Sequence, residues 1–280
     1  MIDGLNLIIQ GDNVQTPDLK QIARLAGASA IEAITPTAFR LRHAAPNPEI
    51  APYCERARLD CAFVPNDLKL ADIRLCVMDM DSTLITIECI DEIADMQGLK
   101  PQVAAITAAA MRGELDYAQS LRQRVALLKG LPADALQRVY DERLRLSPGA
   151  EVMLARFKLL GIKTLLVSGG FTFFTDRLQA RLGLDYARSN TLDIAGGRLT
   201  GKLVGDIVDA DVKRAALLQL RDELGLKQEQ IIALGDGAND LKFMAEAGIS
   251  IAYHAKPVVR AHATYSLSYV GLCGVLNLFG

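Results

Sequence analysis

The stretch Ile73–Leu84, "IRLCVMDMDSTL", runs a series of apolar residues into two aspartates separated by one methionine. Residues i and i+2 of a strand share a face, so Asp79 and Asp81 can converge on one site. Two like charges that close repel each other, so a cation must offset them or chemistry must use them. More groups follow in order along the chain. "LLVSGG" brings Ser168, Gly169 and Gly170 to the end of another apolar run, where a hydroxyl and free backbone N–H groups can hold phosphate oxygens. "DADVKRAALL" offers Lys213, and "IIALGDGANDLKFM" places Asp236, Asn239 and Asp240 after a third run. Glycines on both sides of Asp236 let the backbone turn sharply and let a ligand approach closely.

Several carboxylates at one sheet edge are stable only with a cation. Oxygen ligation with no nearby His or Cys points to Mg²⁺ rather than zinc. Mg²⁺, Lys213 and backbone donors together suit a phosphate dianion. One carboxylate of the Asp-x-Asp pair would then attack phosphorus and become an aspartyl phosphate. The other would protonate the leaving oxygen and later take a proton from the hydrolytic water. The metal would reduce the repulsion between an anionic nucleophile and an anionic phosphate.

The elements that must position these groups are legible from residue 72 onward. "RLCVM", "KTLLVS", "QIIALG" and "GISIAY" are short apolar runs with helical stretches between them, as in a parallel sheet covered on both faces. This alternation predicts a doubly wound, Rossmann-like α/β core, in which ligands sit at the carboxyl ends of the strands. About sixty residues between the first strand and Pro148 read as helix throughout, an inserted helical cap. "TLDIAGGRLTGKL" reads as a β-hairpin around Gly196–Gly197. The uncharged tail "ATYSLSYVGLCGVLNLFG" is broken by Gly271 and Gly274, and reads as a last strand and a short helix on the core.

The first seventy residues form a separate pattern. "LNLIIQG" is a strand, and "TPDLKQIARLAG" is a helix with Thr16 as cap, Pro17 at its first position and Gly27 at its end. "SAIEAIT" and "AFRLRHA" alternate like paired strands, "NPEIAPYCERARL" is a second helix and "CAFVP" a last strand. The order β-α-β-β-α-β predicts a ferredoxin-like α+β sandwich over residues 1–70. "PNDLKLAD" would be the linker to a second unit, 71–280, with its core at 71–86 and 148–280 and its cap at 87–147.

The ordered set Asp-x-Asp-Ser-Thr, Ser-Gly-Gly, Lys and Gly-Asp-Gly-x-Asn-Asp resembles the four motifs of the haloacid dehalogenase-like phosphatases. "DMDSTLITIECIDEIA", "AMRGELDYAQSLRQRVALLKG", "VSGGFTFF", "GDGANDL" and "IAYHAKP" closely resemble the phosphoserine phosphatase family within them, over about residues 72–280. That resemblance implies Asp79 as nucleophile and Mg²⁺ ligand, and Asp81 as acid/base that also ligates the metal through its backbone carbonyl. It implies Asp236 as the third metal ligand, with Asn239 and Asp240 beside it, and Ser168, Gly169 and Lys213 on the phosphate. In the cap it implies Glu88 for a substrate ammonium and Arg124 for a carboxylate. A zwitterionic amino acid such as L-phosphoserine needs one anion and one cation, and Arg grips a carboxylate with two N–H groups. Arg122, two residues from Arg124 on a helix, should face elsewhere. Met111 and Tyr117 are candidates for the apolar lining of the cap. Aspartate at 81 favours hydrolysis, because relatives that do other chemistry often carry Thr or Ala there. His254 and His262 lie past the last motif, in a scheme that lacks no acid or base. The N-terminal unit resembles, in topology only, the ACT-like domains that precede some of these enzymes.

Composition bounds the alternatives. The chain has 280 residues, 50% hydrophobic and 23% charged, with a formal net charge of -2. Such a balance gives no reason to expect nucleic acid or a membrane surface as partner. "MIDGLNLIIQGDN" lacks a basic n-region, and five cysteines without a C-x-x-C pair suit reduced, buried thiols, so a cytoplasmic protein is expected. The expected activity is hydrolysis of L-phosphoserine, the last step of serine synthesis. The runner-up is phosphotransfer by the same fold to homoserine or another alcohol, or hydrolysis of another small phosphate ester. An amino-acid sensor with vestigial catalysis is opposed by the intact Asp79, Asp81, Lys213 and Asp236. Two roles stay open for the N-terminal unit: binding a ligand, or pairing two chains into a homodimer through exposed sheet edges.

Overall fold

The computed structural model describes residues 4–280; residues 1–3 of the expected first unit lie outside the described residues. The N-terminal unit runs β1 (Leu5–Gln10), α1 (Thr16–Leu25), β2 (Ala30–Thr35), β3 (Ala38–Arg42), α2 (Ile50–Ala57) and β4 (Asp60–Pro65). Its sheet is antiparallel in the order β2-β3-β1-β4, the ferredoxin-like arrangement. Alternation sorts the two faces of β1. Leu7 and Ile9 pack under the helices with Ile22, Leu41 and Ile50, whereas Ile8 faces the second unit. Thr16 does not cap α1. The cap position is Gln15, whose side chain makes no cap bond, and Pro17 occupies the first turn.

The second unit carries a seven-stranded sheet with the order β11-β10-β9-β5-β6-β7-β8. These are β5 (Leu75–Met78), β6 (Lys163–Phe171), β7 (Tyr186–Ala195), β8 (Arg198–Val204), β9 (Ile231–Gly235), β10 (Ile249–Tyr253) and β11 (Tyr265–Leu267). All pairs are parallel except β7–β8. Strand β5 is central, and the chain leaves it first toward β6 and β7, then returns on its other side to β9. The switch point therefore lies at the carboxyl end of β5, where ligands of open α/β sheets bind.

The apolar runs lack alternation because both faces of the sheet are covered. Cys76, Met78, Leu166, Ile232 and Leu234 meet one layer, which includes Ile8, Ala62 and Val64 of the N-terminal sheet. Leu75, Val77, Val167, Ile231 and Ala233 meet the other, with Leu217 and Phe243. Because the first layer is shared by both units, the expected linker is not a free tether: Leu70 within it is buried.

The cap comprises α3 (Cys89–Asp95), α4 (Lys100–Met111), α5 (Tyr117–Leu127) and α6 (Asp134–Arg138), followed by one wide turn over Val139–Arg143. Its two connections pair with each other: Thr86 N–H donates to the Arg145 carbonyl at 3.0 Å and Ser147 N–H to that of Leu84 at 2.9 Å. The β7–β8 hairpin turns at Gly196 and Gly197, both at positive φ. It also braces the cap: Gly130 N–H donates to the Leu199 carbonyl at 2.8 Å and Ala133 N–H to that of Gly197 at 2.9 Å.

The remaining helices are α7 (Ala150–Leu159), α8 (Thr172–Leu182), α9 (Ala210–Glu223), α10 (Leu241–Met244), α11 (Pro257–Arg260) and α12 (Gly274–Asn277). The tail supplies β11 and α12, with Val275 and Leu278 fully buried. All five cysteines are free, and Cys273 is exposed, contrary to the expectation of buried thiols throughout. No helix among the described residues is long and apolar enough to cross a membrane.

Candidate active site

Strand β5 ends at Met78, so Asp79 and Asp81 converge through a turn rather than along a strand. The chain coils once over Met80–Leu84, with Ser82 at φ 55, and Ile85 N–H closes the turn on the Met80 carbonyl at 3.0 Å. Asp79 and Asp81 thereby face one cleft of about 500 Å³. Its walls include Ser168, Gly169 and Gly170 from β6, Asp236 and Asn239 after β9, and Glu88, Tyr117 and Arg124 from the cap.

Each group is set by its own element. Asp209 caps α9 by accepting from the N–H groups of Asp211 and Val212, both at 2.9 Å, and the first turn then carries Lys213 inward. Lys213 is 1% exposed, and its ammonium donates to Asp79 Oδ1 and Asp240 Oδ1, both at 2.8 Å. Burial pulls the lysine pKa down, but Asp240 and Asp79 more than offset that and hold it charged. Asp240 folds back on its own loop: its Oδ2 accepts from the N–H of Asp236 at 3.1 Å and of Gly237 at 3.0 Å. Gly235 must lack a side chain there, since a Cβ would lie 2.6 Å from that of Asp240. Asn239 Nδ2 donates to Asp240 Oδ1 at 3.2 Å.

Burial dominates the titration of the other carboxylates. It raises Asp79, helped by Asp240 and resisted by Lys213. It pushes Asp81 up to about 8, with the Glu88 charge adding to the effect, and Asp236 up to about 7, with Asp240 and Glu88 adding. Asp81 Oδ2 accepts from Cys89 N–H at 3.3 Å, while its Oδ1 is buried without a partner among the described residues. Carboxylate oxygens of Asp79, Asp236 and Asp240 lie within 4.8 Å of one another. Both Asp240 oxygens are already engaged, which leaves Asp79 and Asp236 as the members with free lone pairs. Three acidic groups against one ammonium, with only oxygen donors, fit a hard divalent cation.

Gly170 packs so closely that a Cβ would stand 2.6 Å from Met80 Cε and 3.4 Å from Asp81 Oδ2. Its N–H donates to Ser168 Oγ at 2.8 Å. A Cβ on Gly169 would collide with the Tyr117 hydroxyl, which instead donates to the Gly169 carbonyl at 3.4 Å. On the cap side, Asp116 and Gln119 form a reciprocal capping box at the start of α5, the helix that presents Tyr117 and Arg124. Arg124 Nε is buried without a partner among the described residues, and Arg122 on the same helix is exposed and outside the cleft. Glu88 precedes α3 and accepts from Ser82 Oγ at 2.8 Å. Met111 borders the cleft but is 74% exposed, so it is not cap core.

Several contributors carry no sequence signal. Asn190 on β7 is 2% exposed; its Nδ2 donates to the Gly169 carbonyl and its Oδ1 accepts from Val208 N–H, both at 2.8 Å. Asp91 and Lys256 also line the cleft. His254 and His262 do not.

A profile of the haloacid dehalogenase-like hydrolases matches residues 73–248, and a domain of unknown function, DUF4072, matches residues 7–50. The chain belongs to the haloacid dehalogenase-like hydrolases. It is 57% identical over 217 residues to a phosphoserine phosphatase of Polaromonas sp., covering 76% of this chain and 92% of that one. A family hydrolase from Salmonella enterica serovar Typhi superposes with a TM-score of 0.87 at 35% identity, over 98% of each chain. A phosphoserine phosphatase solved as a phospho-aspartyl intermediate analogue superposes with a TM-score of 0.69 at 36% identity, over 74% of this chain and 99% of that one.

Proposed function

We propose that the protein hydrolyses L-phosphoserine to L-serine and phosphate through an aspartyl phosphate on Asp79, the last step of serine synthesis. The observation that carries this reading is the polarity of the cleft. Asp79, Asp81 and the Ser168–Gly170 turn stand on its core side. Glu88 and Arg124, with a buried and unpartnered Nε, stand on its cap side. A phosphate ester joined to a zwitterion presents that same order of charges. The relatives named as phosphoserine phosphatases support it.

Lys213 engages Asp79 Oδ1, and no protein donor among the described residues engages Oδ2. In the first step an Asp79 oxygen forms a bond to phosphorus while the bond from phosphorus to the serine oxygen breaks. Asp81, whose burial favours its protonated form, gives its proton to that oxygen. In the second step Asp81 takes a proton from water, the water oxygen bonds to phosphorus, and Asp79 is released as carboxylate with inorganic phosphate. Ser168 Oγ and the Gly169 N–H bind the phosphate oxygens; Glu88 orients the ammonium and Arg124 the carboxylate. Mg²⁺ held by Asp79, Asp236 and the Asp81 backbone carbonyl, with Asn239 and Asp240 behind them, would neutralise charge between nucleophile and phosphate.

The wider reading places the protein in the cytoplasm, in keeping with five free cysteines. A homodimer would form through β2, a sheet edge whose six residues are all exposed; a monomer mass by light scattering would remove that part. The activity is tested by phosphate release with Mg²⁺ from L-phosphoserine, phosphothreonine, phosphoethanolamine and glycerol phosphate, with a homoserine arm. Strong preference for phosphoserine and free phosphate as product is expected. A flat profile, or phosphate on homoserine, would overturn the substrate or acceptor assignment.

A further inference from the structure

The segment Ser268–Leu272 joins β11 to α12 and lies against three things at once. The first is Asp60, the opening residue of β4 in the N-terminal unit. Asp60 is 6% exposed. Its Oδ1 accepts from Ser268 N–H at 2.7 Å, and its Oδ2 from the N–H groups of Tyr269 at 2.9 Å and Val270 at 3.2 Å. One carboxylate thus holds three successive amides across the boundary between the units. Arg58 adds a second hold, its guanidinium 5.6 Å from the Tyr269 ring centroid.

The second is the root of the cap. Leu272 N–H donates to the Pro148 carbonyl at 2.7 Å. Gly271 backs onto the same carbonyl so closely that a Cβ would collide with it, and a Cβ on Gly149 would lie 2.6 Å from Cys273 N. Pro148 directly follows Ser147, whose N–H closes the cap stem on Leu84. The third is the loop that reaches the acidic cluster. His254 N–H donates to the Leu267 carbonyl at 2.7 Å, and His254 Nε2 lies 3.1 Å from the Val270 carbonyl. Two residues on, Lys256 N–H donates to the Asp236 carbonyl at 3.1 Å.

We propose that Asp60 is a positioning residue for the active site: by clamping Ser268–Val270, the N-terminal unit sets both the cap root at Pro148 and the backbone of Asp236. The unit then takes part in catalysis without contributing a group to the cleft. Backbone hydrogen bonds and close glycine contacts leave little slack along either route, so a shift of the segment must be taken up at Pro148 or at His254–Lys256. The proposal rests on the metal and phosphatase reading above for its effect on turnover, but not for its effect on the backbone.

The test compares full-length Asp60→Ala and Asp60→Asn with Asp185→Asn, which also removes a carboxylate bonded to a backbone N–H, but at the amino ends of β6 and β7. Asparagine keeps the size of Asp60 but turns an NH₂ group toward an amide donor, so it remains readable where the alanine variant folds poorly. Amide exchange by mass spectrometry is read over residues 145–150, 236–240 and 266–272. Faster exchange in all three segments is expected for both Asp60 variants, and in none for Asp185→Asn. The Mg²⁺ concentration for half-maximal activity should rise about tenfold, the usual consequence of losing an outer support of a metal site. Exchange that changes only in 266–272, with the Mg²⁺ requirement as in wild type, would overturn the clamp. If wild type itself fails to cleave phosphoserine, the substrate assignment falls, and the clamp is judged on exchange and on Mg²⁺-dependent turnover of an aryl phosphate.

Discussion

Asp79 and Asp81 are the same residue type two positions apart, and their surroundings divide the work between them. Asp79 is tied to Lys213, which favours its anion as a nucleophile. Asp81 has no cationic donor and one unpartnered oxygen, which favours its protonated form as an acid. Asp79→Asn should abolish phosphate release and leave the thermal unfolding transition near wild type; turnover close to normal would remove the nucleophile assignment. Arg124→Ala should cost phosphoserine about 2–5 kcal/mol of transition-state binding, roughly 30- to 5,000-fold in kcat/KM. A generic aryl phosphate, which has no carboxylate for it to grip, should lose far less. Equal losses on both substrates would take Arg124 out of recognition. Chelation by EDTA should silence the enzyme and added Mg²⁺ restore it, measured as phosphate release; full activity in chelator would overturn the metal assignment.

Helix α5 and the end of strand β6 meet at one contact, the Tyr117 hydroxyl on the Gly169 carbonyl. The cap is thus fastened to the Ser168–Gly170 segment of β6 as well as to its own stem. Tyr117→Phe removes a hydrogen bond worth about 1 kcal/mol, so KM for phosphoserine should rise about fivefold with kcat little changed. An unchanged KM would show that the cap closes without this contact. At the far end of the sheet, Asp185 ties β6 to the start of β7. Its carboxylate accepts from Lys163 Nζ at 2.7 Å, Thr164 N–H at 2.9 Å and Thr164 Oγ1 at 3.1 Å. Burial raises its pKa, but these donors more than offset that and hold it below the ordinary 3.8. A depressed folded-state pKa means stabilisation that is present above 3.8 and is lost as pH falls through the folded value. Asp185→Asn should therefore lower stability at pH 7 by at most about 1 kcal/mol, since solvent screens this exposed group, with the gap from wild type closing in acid. A gap independent of pH in thermal melts would assign its role to shape rather than charge.

The cleft lies between a core with fixed strands and a cap that hangs on a two-strand stem, an arrangement in which cap motion would gate substrate entry. Because Gly130 and Ala133 bond to the β7–β8 hairpin, that motion must carry the hairpin or break those bonds. Mg²⁺ with orthovanadate should hold the cap closed and slow limited proteolysis near Thr86 and Pro148. Cleavage rates unaffected by the pair would remove cap opening and closing from the account.

The sheet, the cap and the carboxylate motifs were legible in the amino-acid order because each is local. Apolar runs ending in Asp-x-Asp or in a glycine-flanked aspartate state their own burial and their own turn. Charge arithmetic at one strand edge then demanded a cation and a phosphate-like ligand. The rest comes from groups far apart in the chain. Asp60 lies 208 positions from Ser268, and Asn190 lies 21 from Gly169. Nothing in the spacing of such residues marks them as partners. Asn190 under Gly169, the Tyr117 hydroxyl on Gly169, the hairpin brace and the Asp60 clamp are hydrogen bonds between separate elements. Periodicity reports which face of an element is apolar. It cannot report which polar group from elsewhere meets that element's backbone, because that depends on how the layers stack.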